Sequence, residues 1–338
     1  MPLFTQKIST VLIIRSGALG DLVYATSILD ALIMQYGDKI TIDWVTTPGS
    51  GTLFAKDARV NRIFALSHRK LPAIINPEKR AIINHSKKHP YDLAINLETG
   101  DAFGRLLKDV HATHKLGAPF THPKNGTRPH MVDIIKRTFS DAISDEVLEK
   151  AFPRLVGSDV SALAKYDLPK EYIVLNPSNS HNARHKLNYR AWPQEHWKRL
   201  IDALEGENLV IIAGKGEEEY FKNMRPFPSY AIDLIGKTSL VDLISIIKEA
   251  KAIVTTDTGP AHIASAVNTD THVLIGPTNV ALTGPYQTPL NKISILSANL
   301  PCAPCYNTGV MKACEHNRCM HEITVKEVLA SLKKLGSI

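Results

Sequence analysis

The 338-residue sequence predicts an α/β protein of two Rossmann-like, doubly wound parallel-sheet domains facing each other across a cleft. Three observations carry that prediction. Short β-branched runs alternate with segments of helical spacing along the whole chain. Two of these runs, Val11 to Arg15 and Ala252 to Thr256, feed directly into glycine-containing turns that open helices. The rhythm pauses once, from about Ala151 to Leu168, where Pro153, Gly157 and Pro169 interrupt it.

In chain order, Val11 to Arg15 is the first strand, Ser16-Gly17-Ala18-Leu19-Gly20-Asp21 its turn, and Leu22 to Met34 the helix that follows. Gly17 and Gly20 do not complete the G-x-G-x-x-G dinucleotide fingerprint, although Asp43 stands about where a ribose-binding acid would. Ile40 to Thr46, Arg62 to Leu66 and Asp92 to Leu97 continue the first sheet, giving an N-terminal domain over residues 1–155. Residues 156–170 read as a linker. Tyr172 to Leu175, Leu209 to Ala213, Ala231 to Ile235, Ala252 to Thr256 and His272 to Ile275 form the second sheet, in a domain over 171–322. A closing helix from Ile323 to Leu335 occupies the final segment, 323–338.

A content of 44% hydrophobic and 22% charged residues is globular, and no apolar run approaches the roughly 20 residues of a membrane span. Met1 to Lys7 lack a signal-peptide pattern, so the expected location is cytoplasmic, free or peripheral at the inner face of the inner membrane. A formal charge of +7 favours anionic partners: a phosphorylated substrate, a phospholipid surface or nucleic acid. The basic residues are scattered and not interleaved with aromatics, so no nucleic-acid partner is expected.

Asp257-Thr258-Gly259-Pro260-Ala261-His262 has the outline of a phosphate site. Gly259 lets a ligand approach the backbone, Pro260 suits a first helical turn, and the N–H groups of that turn face whatever lies above. Asp257 cannot hold a phosphate by its own charge, so it implies neutral sugar hydroxyls beside the phosphates; the alternative is a helix cap serving only its own backbone. All four cysteines cluster late, at Cys302, Cys305, Cys314 and Cys319. Their spacing allows a tetrahedral thiolate site, and cytoplasmic location argues against disulfides. We expect a structural staple, with or without metal, lying apart from the cleft motifs.

The two turns, together with Arg190-Ala191-Trp192-Pro193, resemble the ADP-heptose:lipopolysaccharide heptosyltransferases, glycosyltransferase family 9. Asp92 to Leu97, Lys115-Leu116-Gly117, Leu234 to Leu240 and Gly276-Pro277-Thr278 extend the resemblance over nearly the whole chain. It implies a GT-B fold and inverting transfer with no catalytic metal or other cofactor. The donor would be ADP-heptose, held mainly by the second domain. The acceptor, a phosphorylated glycolipid at the inner-membrane surface, would be held mainly by the first, beside Gly17 and Gly20.

Asp21, just after the first turn, is then the general base, unless it serves only as a helix N-terminal acid. Arg190 would neutralise the leaving diphosphate, and Ser178, in the turn Asn176-Pro177-Ser178-Asn179-Ser180, would donate to it. Glu217 would bond a ribose, and His262 would support the phosphate turn. Arg184, His185 and Lys186 add charge near Arg190. Two other readings share the donor site: a GT-B sugar-nucleotide epimerase, and a non-catalytic nucleotide-sugar-binding module.

Overall fold

The structure, a computed structural model, describes residues 3–117, 129–178 and 188–338. It divides into Met1–Val156 and Gly157–Ile338. In the first unit, β1 (Thr10–Ile14), β2 (Thr41–Thr46), β3 (Arg62–Ala65), β4 (Tyr91–Asn96) and β5 (Ala112–Leu116) form a parallel sheet in the order β3-β2-β1-β4-β5. Val11 to Ile14 are fully buried, as an uninterrupted apolar run must be when helices cover both faces of a sheet. The helix expected from Leu22 to Met34 is two helices, Leu19–Ala25 and Ser27–Tyr36. Thr26 separates them: its hydroxyl donates back to the Val23 carbonyl at 2.7 Å and accepts the Arg154 N–H at 3.1 Å.

Asp43 does not sit at a strand end. It lies inside β2 opposite Leu12, 3% exposed, and accepts hydrogen bonds from the Tyr91 hydroxyl at 2.6 Å and the Asn61 amide at 2.8 Å. Burial, reinforced by that carboxylate, pushes the Tyr91 phenol well above its ordinary range. Asp43 is therefore a structural acceptor, both oxygens engaged inside the sheet and almost out of reach of solvent.

The second unit carries β6 (Ile173–Asn176), β7 (Leu209–Ile211), β8 (Ala231–Asp233), β9 (Ala252–Thr256), β10 (Asp270–Leu274) and β11 (Ile293–Leu296), all parallel, in the order β11-β10-β9-β6-β7-β8. β5 and β11 have no counterpart among the sequence expectations. Both are edge strands with partly exposed residues, so neither carries the apolar run that betrays a central strand.

The stretch read as a linker contains a 3-10 helix, Val160–Tyr166, strapped to the second unit. Ser158, Lys165 and Tyr166 donate to the Asp242 carboxylate at 2.6, 2.8 and 2.9 Å. Burial alone would raise the pKa of Asp242, but these bonds outweigh it and hold the group below the usual carboxylate range. The core of this unit centres on Trp192 and Trp197, both fully buried, with ring centres 4.9 Å apart at 87°. The Trp192 indole donates to the Ile323 carbonyl at 2.9 Å, just ahead of the helix Val325–Leu335. A capping box of Thr324 and Glu327 starts that helix, and Gly336 in the left-handed region ends it. Among the described residues no helix is long and apolar enough to cross a membrane.

Candidate functional site

Each sheet reverses its strand order once, between β1 and β4 in the first unit and between β6 and β9 in the second. Loops leaving the carboxyl ends of such a strand pair diverge and leave a crevice. In the first unit Arg15 and Ser16 follow β1, and Leu97 and Glu98 follow β4. The Ser16 N–H and hydroxyl both donate to Glu98, the hydroxyl at 3.2 Å. The Arg15 guanidinium donates to the Leu97 carbonyl and, at 2.8 Å, to the Asp21 carboxylate. Asp21 also accepts the Ala18 N–H at 3.0 Å, which closes the first turn of its helix. Gly17 is required for that closure, because a Cβ there would stand 2.4 Å from Oδ2 of Asp21. Gly20 lies within the same helical turn. The Asp21 side chain keeps 35% of its surface exposed, whereas Arg15 and Glu98 are buried. Oriented by a cation yet open to solvent, Asp21 can take a proton from a bound hydroxyl.

In the second unit Asn176, at the end of β6, donates to the Thr255 and Thr258 hydroxyls at 2.9 and 3.1 Å and so fixes the turn after β9. Thr258 is the N-cap of the helix Gly259–Ala266, with Pro260 in its first turn. The amides that open a helix lack intrahelical partners, and the Thr258–Gly259 backbone can turn them toward an anion. Asp257 is 5% exposed. Arg190 donates to its carbonyl at 3.0 Å and lies 3.6 Å from its carboxylate; His262 Nε2 is 3.9 Å from the other carboxylate oxygen. The Arg190 guanidinium lies 5.3 Å from the Tyr306 ring centre, and the Asn317 amide donates to the Asn188 and Ala191 carbonyls at 3.2 and 3.4 Å. Trp192, buried two residues on, anchors the same segment. Ser178 is almost wholly buried and donates to Glu217 at 2.6 Å; the other oxygen of Glu217 accepts the Gly214 N–H at 2.6 Å.

The fold therefore brings Arg190, Asp257, Thr258, Gly259, Pro260 and His262 together, and Asn176 links them to Ser178 through the Ser178 carbonyl at 3.2 Å. Asp21, Gly17 and Gly20 form the separate constellation of the first unit. Asn179, Ser180, Arg184, His185 and Lys186 lie outside the described residues. Sequence reasoning missed Glu98, Tyr306 and Asn317, and read Asn176 only as part of a phosphate turn. The position of Glu98 directly after a buried strand was a usable signal; nothing local marks Tyr306 or Asn317.

The cysteine-rich loop does not lie apart. Tyr306 and Asn317 belong to it, and the Cys305 and Tyr306 N–H groups bind the Pro277 carbonyl at 2.8 and 2.9 Å. Gly276 permits that packing, since a Cβ there would meet Met320 Sδ at 2.6 Å and Cys319 Sγ at 3.1 Å. All four thiols are free and line one cavity of about 320 Å³. Burial, and then the other three cysteines, push the Cys319 thiol up to about 11. Among the described residues no three His, Cys, Asp or Glu side chains gather closely enough to hold a metal ion.

Two doubly wound parallel-sheet units make up a GT-B fold, the fold shared with a solved heptosyltransferase. The chain belongs to glycosyltransferase family 9 (heptosyltransferase), which residues 116–314 match. It is 26% identical over 324 residues to lipopolysaccharide heptosyltransferase 1 of Escherichia coli O18:K1:H7, covering 86% of this chain and 94% of that one. The crystal structure of a family 9 glycosyl transferase from Veillonella parvula superposes with a TM-score of 0.78 at 15% identity, covering 98% of each chain. E. coli ADP-heptose lps heptosyltransferase II superposes at 0.76 with 20% identity, covering 96% of this chain and 98% of that one.

Proposed function

We propose that this glycosyltransferase moves heptose from ADP-heptose to a sugar hydroxyl of the lipopolysaccharide inner core, with inversion and without a catalytic metal. The observation that carries the reading is the complementary equipment of the two switch points: a solvent-open carboxylate at one, a cation beside a helix N-terminus at the other. ADP-heptose is also the donor of the E. coli ADP-heptose lps heptosyltransferase II to which the fold is similar.

In this mechanism Asp21 accepts the proton of the attacking hydroxyl as its oxygen bonds to the anomeric carbon and the bond from that carbon to the diphosphate oxygen breaks. Arg15 and the Ala18 N–H hold the carboxylate in one orientation, so Asp21 works through position. ADP leaves with the bonding electron pair. The charge it gains is met by Arg190 and by the Thr258 and Gly259 amides, which need no rearrangement at that moment. Asp257 keeps Arg190 in place and offers its carboxylate to hydroxyls of the donor sugar, with His262 supporting it. The Ser178–Glu217 pair receives the ribose and the adjoining phosphate. The acceptor is a phosphorylated glycolipid at the cytoplasmic surface of the inner membrane, which a chain of net charge +7 would approach favourably.

Mass spectrometry of the protein incubated with ADP-heptose and a heptose-free core glycolipid tests the reading. It predicts free ADP and an acceptor heavier by one heptose. An epimerised nucleotide sugar with no ADP released would make the protein an epimerase, and tight donor binding without turnover would make it a binding module.

A further inference from the structure

We propose that residues 67–76 of the first unit form a rigid wedge that inserts an apolar tip into an anionic lipid bilayer. The inference deepens the glycolipid-acceptor reading, and rests on it for why this unit should meet a bilayer at all.

Between β3 and the helix Pro77–Lys88, the chain presents Leu71, Ile74 and Ile75 at 39%, 80% and 61% exposure. Among the described residues these are three of only eight exposed large hydrophobics, gathered within five positions. A floppy loop would fold such side chains inward. This one is braced from beneath by buried polar groups. Lys79, 1% exposed, donates through its ammonium to the Arg69 and Leu71 carbonyls at 2.8 and 2.7 Å. Asn76, fully buried, donates to the His68 carbonyl at 2.8 Å while its side-chain oxygen caps the helix at the Lys79 N–H. Glu78 accepts the Ser67 and His68 N–H groups at 2.7 and 3.3 Å. A buried ammonium satisfied by carbonyls is costly, and here it fixes a shape that holds isoleucines out in water.

Charge names the occupant. Arg69, Lys70 and Arg80 are exposed around the tip, and the single acid of residues 67–80, Glu78, is engaged by backbone amides. A basic collar around an apolar tip suits an anionic headgroup layer over an acyl core. A stable protein interface needs about 800 Å² on each partner, more than three side chains at a loop tip supply. The loop is also tied to the acceptor turn, since Arg69 donates to the Ser16 carbonyl at 3.0 Å. A wedge in the headgroup layer would thereby hold the Asp21 turn at a set distance from the bilayer.

The test is co-sedimentation of the full chain with acceptor-free vesicles of phosphatidylcholine, with and without phosphatidylglycerol. The wild type should bind the anionic vesicles. Ile74→Ser with Ile75→Ser should weaken that binding by about tenfold or more, with melting temperature and ADP affinity unchanged. Lys70→Gln should cost roughly fivefold at low salt. Unchanged binding by the double-serine protein overturns the wedge, as does a wild type that ignores anionic vesicles while self-associating through the same isoleucines. Heptose transfer to detergent-dispersed acceptor without vesicle binding would refute the wedge and leave the transferase. Vesicle binding lost in the double-serine protein, with no transfer by the wild type, would do the reverse.

Discussion

The turns after β1 and β9 are the same device, a buried strand ending at a switch point and opening a helix, yet each treats its acid differently. Asp21 sits inside its helix and remains one-third exposed, with Arg15 and the Ala18 N–H on one side. Asp257 sits before its helix, 5% exposed, between Arg190 and His262. A few positions along one motif thus separate a partly exposed carboxylate from a buried one set beside a cation. An acid's offset from the helix start sets its exposure and its partners.

Breaking the first turn should have the largest effect. Asp21→Asn keeps size and one of the two accepted hydrogen bonds but cannot take a proton, so transfer should slow by about 100- to 10,000-fold. Because buried Arg15 loses its charged partner, the melting temperature should fall while the protein stays folded. Steady-state kinetics showing near-normal turnover would reduce Asp21 to a cap.

Breaking the second turn should act on affinity. Arg190→Ala removes a charge-assisted contact to the diphosphate, and calorimetry should find ADP bound about 10- to 100-fold more weakly. Asp257→Ala sharpens the point: if its carboxylate reaches the sugar, intact donor should lose more than ADP does. Equal losses would mean that Asp257 only holds Arg190.

The second unit should also lose stability in mild acid. His272 is fully buried against Ser331 at 2.7 Å, and burial pushes its pKa down to about 4. The folded imidazole stays neutral while the unfolded one takes a proton below about 6.5. The stability this confers is complete above that pH and declines toward pH 4, by roughly 2–3 kcal/mol in all. Urea unfolding should report the decline in the wild type and a flatter profile in His272→Gln.

The smallest effect should come from the cysteines. Cys302→Ser with Cys305→Ser should cost about 1–2 kcal/mol, mostly through buried Cys305, with only a slight change in ADP affinity carried through Tyr306. Loss of transfer at unchanged stability, metal content and donor affinity would contradict a supporting role.

The central strands were legible because parallel strands covered on both faces need the uninterrupted apolar runs Val11 to Ile14 and Ala252 to Val254. β5 and β11 were not, because an edge strand can leave residues such as Thr113, Lys115 and Ile295 exposed. Both turns could be read from glycine, proline and acid order. What lay hidden was long-range pairing: Glu98 meets Ser16 across 82 residues, and Asn317 supports Asn188 across 129, distances at which no local pattern speaks. Asp43 misled for the same reason. Its partner Tyr91 lies 48 residues away.

The division of labour between the two turns is tested most directly by titrating ADP and intact donor into the Asp21→Asn protein. Affinities for both should match the wild type even as transfer collapses. A loss of donor affinity in step with the loss of turnover would contradict the account, because Asp21 would then belong to the donor site.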